Sequence, residues 1–334
     1  MCLVKTPTEK NEETHPGVNK RCSHCESMSD ISALYHRMAA GLPSHDDLMR
    51  TGRCSEAALH PELNRYCDCW PMDSHLATSG GAGYINASLL RPCADSPAYI
   101  AAAGPMAPEW YGPDTRPAFW SMVWHHQVKV VVALARPQVG VRGCADYISP
   151  PVSSPSSSKA PYGDIYLDLI EERSTLSGHA TERLLHLRRG TEMRQCVQLE
   201  FSTWPDYGVP DAAGVVAALI RRVEELREAT ARQLTAREPD EIEPPLLVHC
   251  AGGVGRTGSF ITAHSLYCEQ HAKGQEQAAG AAGLARGTAP EDIASRVDLL
   301  RSQRHPYVVE TPEQLALVVD VLGELRVVHQ RGRS

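Results

Sequence analysis

The stretch LLVHCAGGVGRTGSF, residues 246–260, closes an apolar run on Cys250, follows it with Gly252, Gly253, Gly255 and Gly258 around Arg256, and returns to helix-like sequence. Backbone N–H groups of a glycine-rich turn that runs into a helix N-terminus point inward together and form a nest for an anion. The glycines permit left-handed backbone and close approach to a ligand. A cysteine at the bottom of such a ring, with an arginine beside it, is favoured as thiolate over thiol, and a thiolate is a ready nucleophile. Arg256 suits phosphate because its planar fork holds two oxygens at once. Thr257 can offer a hydroxyl to the thiolate when sulfur becomes the leaving group. Two other readings compete. Gly253 and Gly258 have the G-x-x-x-x-G spacing of a nucleotide-binding loop, but Ser259 stands where that loop requires lysine. A flexible turn beside a buried cysteine also fits the stretch alone, since Cys, five residues, Arg is a weak match in a chain with 11 cysteines. The preceding strand, the glycines and the Thr-Gly helix start strengthen the cradle.

A nucleophile alone leaves a phenoxide or alkoxide as a poor leaving group, so a general acid is required on an element that can close. STWPDYGVP, residues 202–210, supplies Asp206 between a Trp-Pro pair and a Gly-Val-Pro turn, with a glycine hinge. By itself this segment is an ordinary turn; paired with the cysteine cradle it reads as a lid carrying an acid.

Extended runs at 83–90, 98–103, 128–135, 163–170, 194–201 and 244–250 are rich in β-branched and aromatic residues and predict a central sheet. Helical spacing is found around 117–127, 212–232, 256–271, 291–304 and 312–329, and from residue 30, where Asp30 is placed to cap DISALYHRMAAGL. The expected fold is α/β, with a mixed, highly twisted sheet flanked by helices. Residues 1–27 read as a disordered arm, residues 28–330 as one catalytic domain, and the low-complexity segments 149–161 and 274–292 as loop insertions.

With 334 residues, 42% of them hydrophobic, the chain can bury a substantial core. A net charge of −7 gives no overall basic field, so nucleic acid and anionic membrane are not expected partners. No apolar run reaches the roughly 18 residues of a membrane span, and the N-terminus lacks a signal-peptide core, which predicts a cytoplasmic chain. Irregularly spaced cysteines suggest reduced thiols. Cys22 and Cys25, with His24 between them, form a single Cys-x-x-Cys without a second pair at finger spacing, so no metal and no cofactor are expected.

HCAGGVGRTG (249–258), WPDYGVP (204–210) and LNRYCDCWPMD (63–73) together resemble the tyrosine-specific protein tyrosine phosphatases, in order, over about residues 60–315. The blocks YINAS (84–88), YIAAAGPM (99–106), FWSMVWHHQ (119–127) and GCADYISP (143–150) are similar to that family's structural segments. The resemblance implies that Cys250 attacks phosphorus, Arg256 clamps the transition state and Asp206 serves as acid and then base. It implies that Ala251, Gly252, Gly253, Val254 and Gly255 cradle the phosphate, that Tyr66 walls a slot deep enough to select phosphotyrosine over phosphoserine, and that Asp68 holds substrate backbone. Phosphotyrosine-containing proteins are the implied partners. Shallow-pocket dual-specificity and lipid phosphatases lack the NRY and WPD segments.

Several positions depart from the family pattern. A later loop that usually reads QTxxQ appears here as ETPEQ, with Glu310 first and Gln314 second. A carboxylate near a phosphoryl group predicts slow breakdown of a cysteinyl-phosphate, or a water handled by Gln314; a weakly active phosphotyrosine-binding module is the alternative. Thr311, Pro312 and Gln314 equally read as N-cap, N1 and N3 of a helix carrying a Leu315, Val318, Val319, Leu322 stripe. Gln138 falls near the family's arginine-pairing glutamate, which predicts a less firmly held Arg256.

Overall fold

The structure, a computed structural model, describes residues 23–108, 112–138, 143–149, 162–205, 208–235, 243–279 and 288–331. Asp206, most of the arm, the side chains of the Cys22–His24–Cys25 group, residues 150–161 and residues 280–287 lie outside the described residues, and within the segment 274–292, expected as a loop, residues 274–279 continue one helix and residues 290–292 begin the next.

Seven strands form one sheet. They are β1 (Ala87–Leu90), β2 (Tyr99–Ala103), β3 (Val130–Ala133), β4 (Tyr166–Thr175), β5 (Ala180–Arg189), β6 (Glu192–Phe201) and β7 (Leu246–Cys250), in the order β1-β2-β7-β3-β6-β5-β4. β2, β7, β3 and β6 run parallel, while β1 and the β4–β5–β6 meander pair antiparallel. Strand β7 lies between two parallel neighbours and is buried along its whole length, which is why it reads as an unbroken apolar run.

Alternation along the strands divides the core. Val130, Val132, Leu246 and Val248 pack on one face with residues of α5 (Ala213–Thr235), α6 (Gly255–Ala279), α7 (Pro290–Gln303) and α8 (Pro312–Arg331). Val131, Leu247, Ile100 and Ala102 pack on the other with Phe119, Trp120 and Met122 of α4 (Arg116–His125). Leu315, Val318 and Leu322 of α8 are buried as the stripe predicts. None of the helices among the described residues is long and apolar enough to cross a membrane.

Two sequence expectations are corrected. Helix α1 spans Ser23–Ala39, ahead of the short helices α2 (His45–Arg50) and α3 (Ser55–Leu59), so Asp30 lies inside α1 and does not cap it. Strand β5 was not anticipated at all. Its Glu182, Arg183, Arg188 and Arg189 have the composition of a solvated segment, but each finds a partner across the meander: Arg173–Glu182 at 2.5 Å, Arg183–Glu172 at 2.5 Å, Arg188–Asp168 at 2.7 Å and Arg189–Asp164 at 2.6 Å.

Candidate active site

The parallel strands end together, and the site is built on their C-terminal edge, the usual place for a ligand in such sheets. β7 delivers Cys250, and α6 starts five residues later at Gly255. Between them, Gly253 takes a φ of +69° and passes so close to β2 that a Cβ there would lie 2.2 Å from the Ala102 carbonyl oxygen. The turn therefore needs glycine at 253 for both reasons.

Cys250 is 3% exposed, and its Sγ accepts the Gly253 N–H at 3.2 Å. Arg256, 5% exposed, donates through Nη1 to the carbonyls of Leu134 (3.2 Å) and Trp204 (3.3 Å). These carbonyls follow β3 and β6, so the guanidinium is fixed between two strand ends. Gln138 is solvent-exposed, and residues 139–142 beside it lie outside the described residues. Ala251 and Val254 are buried in the same cluster as Cys250 and the 4%-exposed Tyr66 ring. Asp68 lies two residues on from Tyr66, with its Oδ1 buried and unsatisfied.

Sequence reasoning missed a second arginine beneath the turn. Arg304, fully buried just after α7, donates to the Gly253 carbonyl (3.1 Å), the Gly252 carbonyl (3.2 Å) and Asn86 Oδ1 (2.6 Å). Burial pushes its pKa below the usual arginine value. Asn86 in turn donates to Asn64 Oδ1 (2.8 Å) and the Cys69 carbonyl (2.9 Å). One polar chain thus joins the NRY segment to the cradle.

Thr257 is not hydrogen-bonded to the sulfur. Its Oγ1 is buried without a hydrogen-bond partner and does not reach Cys250 Sγ; the residue lines a crevice with Gly253, Leu300, Arg304 and Val308 instead.

Glu310 and Gln314 come to the opposite side of the turn. A Cβ on Gly255 would lie 2.6 Å from Glu310 Oε2 and 3.0 Å from Gln314 Nε2. Gln314 takes the predicted capping place. It is N3 of α8, its N–H bonded to Thr311 Oγ1 (3.2 Å) and its Oε1 accepting the Glu310 N–H (2.8 Å), and both atoms of its side-chain amide lie beside Gly255. Helix α1 bears on the same loop, for the Tyr35 hydroxyl donates to the Glu310 carbonyl at 2.5 Å.

Elsewhere, Glu224, His264 and Cys268 bring ligand-type atoms within 4.8 Å of one another. Arg227 donates to Glu224 and to Cys268 Sγ (3.9 Å), Tyr99 Oη bonds His264 Nδ1 (2.6 Å), and burial raises the Cys268 thiol pKa. His264 Nε2 lies 2.8 Å from Glu224 Oε1, so these groups face one another and link α5 to α6.

A buried thiol that accepts a backbone N–H of a glycine turn, followed directly by a helix N-terminus and a buried arginine, has the parts of a cysteine-based phosphate site. The family model for protein-tyrosine phosphatase matches residues 60–324, and the chain belongs to the protein-tyrosine phosphatase family. It is 29% identical over 339 residues to the Tyrosine-protein phosphatase Lar-like of Caenorhabditis elegans, covering 96% of this chain and 13% of that protein. It is 32% identical over 215 residues to the Receptor-type tyrosine-protein phosphatase V of Rattus norvegicus, covering 61% of this chain and 11% of that protein. Against the Tyrosine-protein phosphatase non-receptor type 9 of Rattus norvegicus the identity is 28% over 272 residues, 79% of this chain and 42% of that protein. The chain thus spans between about one tenth and two fifths of the length of these relatives.

Proposed function

We propose that the chain hydrolyses phosphotyrosine in proteins through a cysteinyl-phosphate. The observation that carries this reading is the Gly253 N–H aimed at Cys250 Sγ, in a glycine turn whose Arg256 is held by the carbonyls that follow two neighbouring strands. Cys250 thiolate attacks phosphorus, the P–O bond to tyrosine breaks, and Asp206 gives its proton to the departing phenolate. Arg256 and the N–H groups of Ala251, Gly252, Gly253, Val254 and Gly255 hold the equatorial oxygens, where charge is spread in the transition state. Water then attacks the phosphoryl group, Asp206 takes a proton back, and the P–S bond breaks to release phosphate and thiolate. Thr257 assists that departure only after its hydroxyl turns toward sulfur. Tyr66 sets the depth of the slot. Asp68 supports substrate binding, because a buried unsatisfied oxygen is what a peptide N–H would relieve. A nucleophile of this kind works in a reducing compartment, which favours the cytoplasm.

Hydrolysis of a phosphotyrosine peptide or p-nitrophenyl phosphate tests the reading. The wild type should turn over and Cys250→Ser should not; equal rates in both proteins would sink it. A second reading is favoured by the Glu310 carboxylate beside Gly255: a module that binds phosphotyrosine and releases it unhydrolysed. Tight phosphopeptide binding by the wild type without turnover would select it, and capture of phosphorylated proteins by Asp206→Ala would identify partners under either reading.

A further inference from the structure

Three neighbouring strands align a set of polar side chains that leads to the nucleophile. Glu172 on β4 pairs in register with Arg183 on β5, and Arg183 with Gln198 on β6. Arg183 donates to Glu172 Oε2 (2.5 Å), Glu200 Oε2 (2.8 Å) and Gln198 Oε1 (2.9 Å). Arginine has no acceptor, so the Gln198 amide must turn its oxygen toward Arg183 and its NH2 away. That NH2 meets the Tyr147 hydroxyl oxygen at 3.1 Å. Having accepted there, Tyr147 sends its own hydrogen to His249 Nε2, 2.6 Å away. The other end gives the same answer independently. His249 Nδ1 lies 3.3 Å from the Cys250 carbonyl oxygen, which can only accept, so Nδ1 carries the hydrogen and Nε2 the lone pair. His249 is completely buried, with the Phe119 ring edge-on at 5.7 Å, and burial keeps the imidazole neutral.

We propose that Arg183 and Gln198 are positioning residues that, through Tyr147, fix His249 in its Nδ1–H tautomer and so hold the peptide between Cys250 and Ala251. The proposal rests on Cys250 being the nucleophile. In a trans peptide the carbonyl and the following N–H point opposite ways. The bond from His249 Nδ1–H to the Cys250 carbonyl therefore sets the direction of the Ala251 N–H, one of the cradle donors. Were the tautomer reversed, a bare Nδ1 lone pair would face that carbonyl oxygen and push the peptide out of place.

Gln198→Glu reverses the relay with almost no change of size. The introduced carboxylate still accepts from Arg183 but cannot donate to Tyr147, whose hydrogen it attracts instead, so the Tyr147 oxygen must take a hydrogen from His249 Nε2. Long-range proton–nitrogen NMR of the full chain, with the His249 signals assigned by their loss in His249→Asn, reads this directly. The wild type is expected to show an unprotonated Nε2, and Gln198→Glu a protonated one. In peptide hydrolysis kcat should fall about tenfold or more while KM stays within about threefold. Should Gln198→Glu fail to fold, Arg183→Met frees the amide to turn over and should give a mixture of tautomers. An unprotonated Nε2 persisting in the folded variant, or a protonated Nε2 in the wild type, overturns the proposal. Because the NMR reading needs no turnover, a wild type that fails to hydrolyse phosphotyrosine would defeat the phosphatase reading and leave the tautomer result to be judged by itself.

Discussion

Arg304 reaches Cys250 across a single peptide plane. Its Nη2 donates to the Gly252 carbonyl at 3.2 Å, and the N–H at the other end of that peptide, on Gly253, points at Cys250 Sγ from 3.2 Å. Carbonyl and N–H are antiparallel in a trans peptide, so holding the carbonyl outward aims the donor inward. The same guanidinium holds the Gly253 carbonyl, which orients the Val254 N–H in the same way.

Arg304→Met should therefore cost both stability and activity. It leaves the Gly252 and Gly253 carbonyls and Asn86 Oδ1 buried without this donor, a loss of about 3–5 kcal/mol. Urea unfolding should show that loss as a lower midpoint. The residual folded protein should have lower kcat because the cradle donors are no longer fixed; a midpoint unchanged from wild type would contradict the account.

Gly253→Ala should damage the turn more locally. The added methyl meets the Ala102 carbonyl oxygen at 2.2 Å and requires a positive φ of a non-glycine residue. The turn must lift away from β2, taking the sulfur-directed N–H with it. Binding of a phosphotyrosine peptide, followed calorimetrically on a Cys250→Ser background, should weaken at least about tenfold, the loss of one good charge-assisted hydrogen bond. Unaltered affinity would show that this donor is not used.

The cradle was legible because its parts are contiguous: strand end, glycines, arginine and helix start all lie within residues 246–260. Arg304 was not, since it lies 51 residues beyond the carbonyl it holds, and a lone arginine in SQRHP carries the signature of an exposed charge. Strand β5 was hidden for a related reason. The charges of Arg183 and Glu182 suit a strand only once β4 and β6 supply their partners. Thr257 was read from its neighbours in sequence, whereas the fold sets it on a crevice that Leu300 and Val308 also line. The capping place of Gln314 was readable from Thr311 and Pro312, and the fold adds that its side-chain amide lies beside Gly255.

Acid should destabilise the protein before its carboxylates titrate. Burial depresses the His249 pKa from 6.5 to about 4, and burial also lowers that of His264. Between those values the unfolded chain binds a proton on His249 that the folded chain refuses, so stability rises with pH there. The contribution is complete above about pH 6.5 and is lost as the pH falls toward 4. His249 alone accounts for about 3 kcal/mol over that interval. Urea midpoints at pH 7.5, 6 and 5 should fall in that order, and His249→Asn should flatten the slope; a midpoint constant from pH 7.5 to 5 would refute the assignment.

Tyr35→Phe should loosen the Glu310 loop without touching the cradle. It removes the hydroxyl that donates to the Glu310 carbonyl at 2.5 Å, and costs about 1 kcal/mol. Hydrogen exchange at the Glu310 and Thr311 amides should quicken while that of β7 stays slow. Equal exchange in both proteins would mean that α1 does not hold this loop.

Glu310 is the residue on which turnover should depend. Its backbone is held by Tyr35 on one side and Gln314 on the other, and its Oε2 would lie 2.6 Å from a Cβ on Gly255. A carboxylate so close to the cradle repels both the bound phosphoryl group and the charge that builds as water attacks it. Removing one unit charge at such a distance, with an effective dielectric near that of a protein surface, is worth about 1–2 kcal/mol, or roughly tenfold in rate. Glu310→Gln should accordingly speed breakdown of the cysteinyl-phosphate about tenfold, and rapid-quench measurements with p-nitrophenyl phosphate would resolve it. The wild type should release a burst of p-nitrophenol followed by a slow phase, and the variant a smaller burst with a faster steady rate. If the two proteins give superimposable time courses, the carboxylate is not what limits release of phosphate.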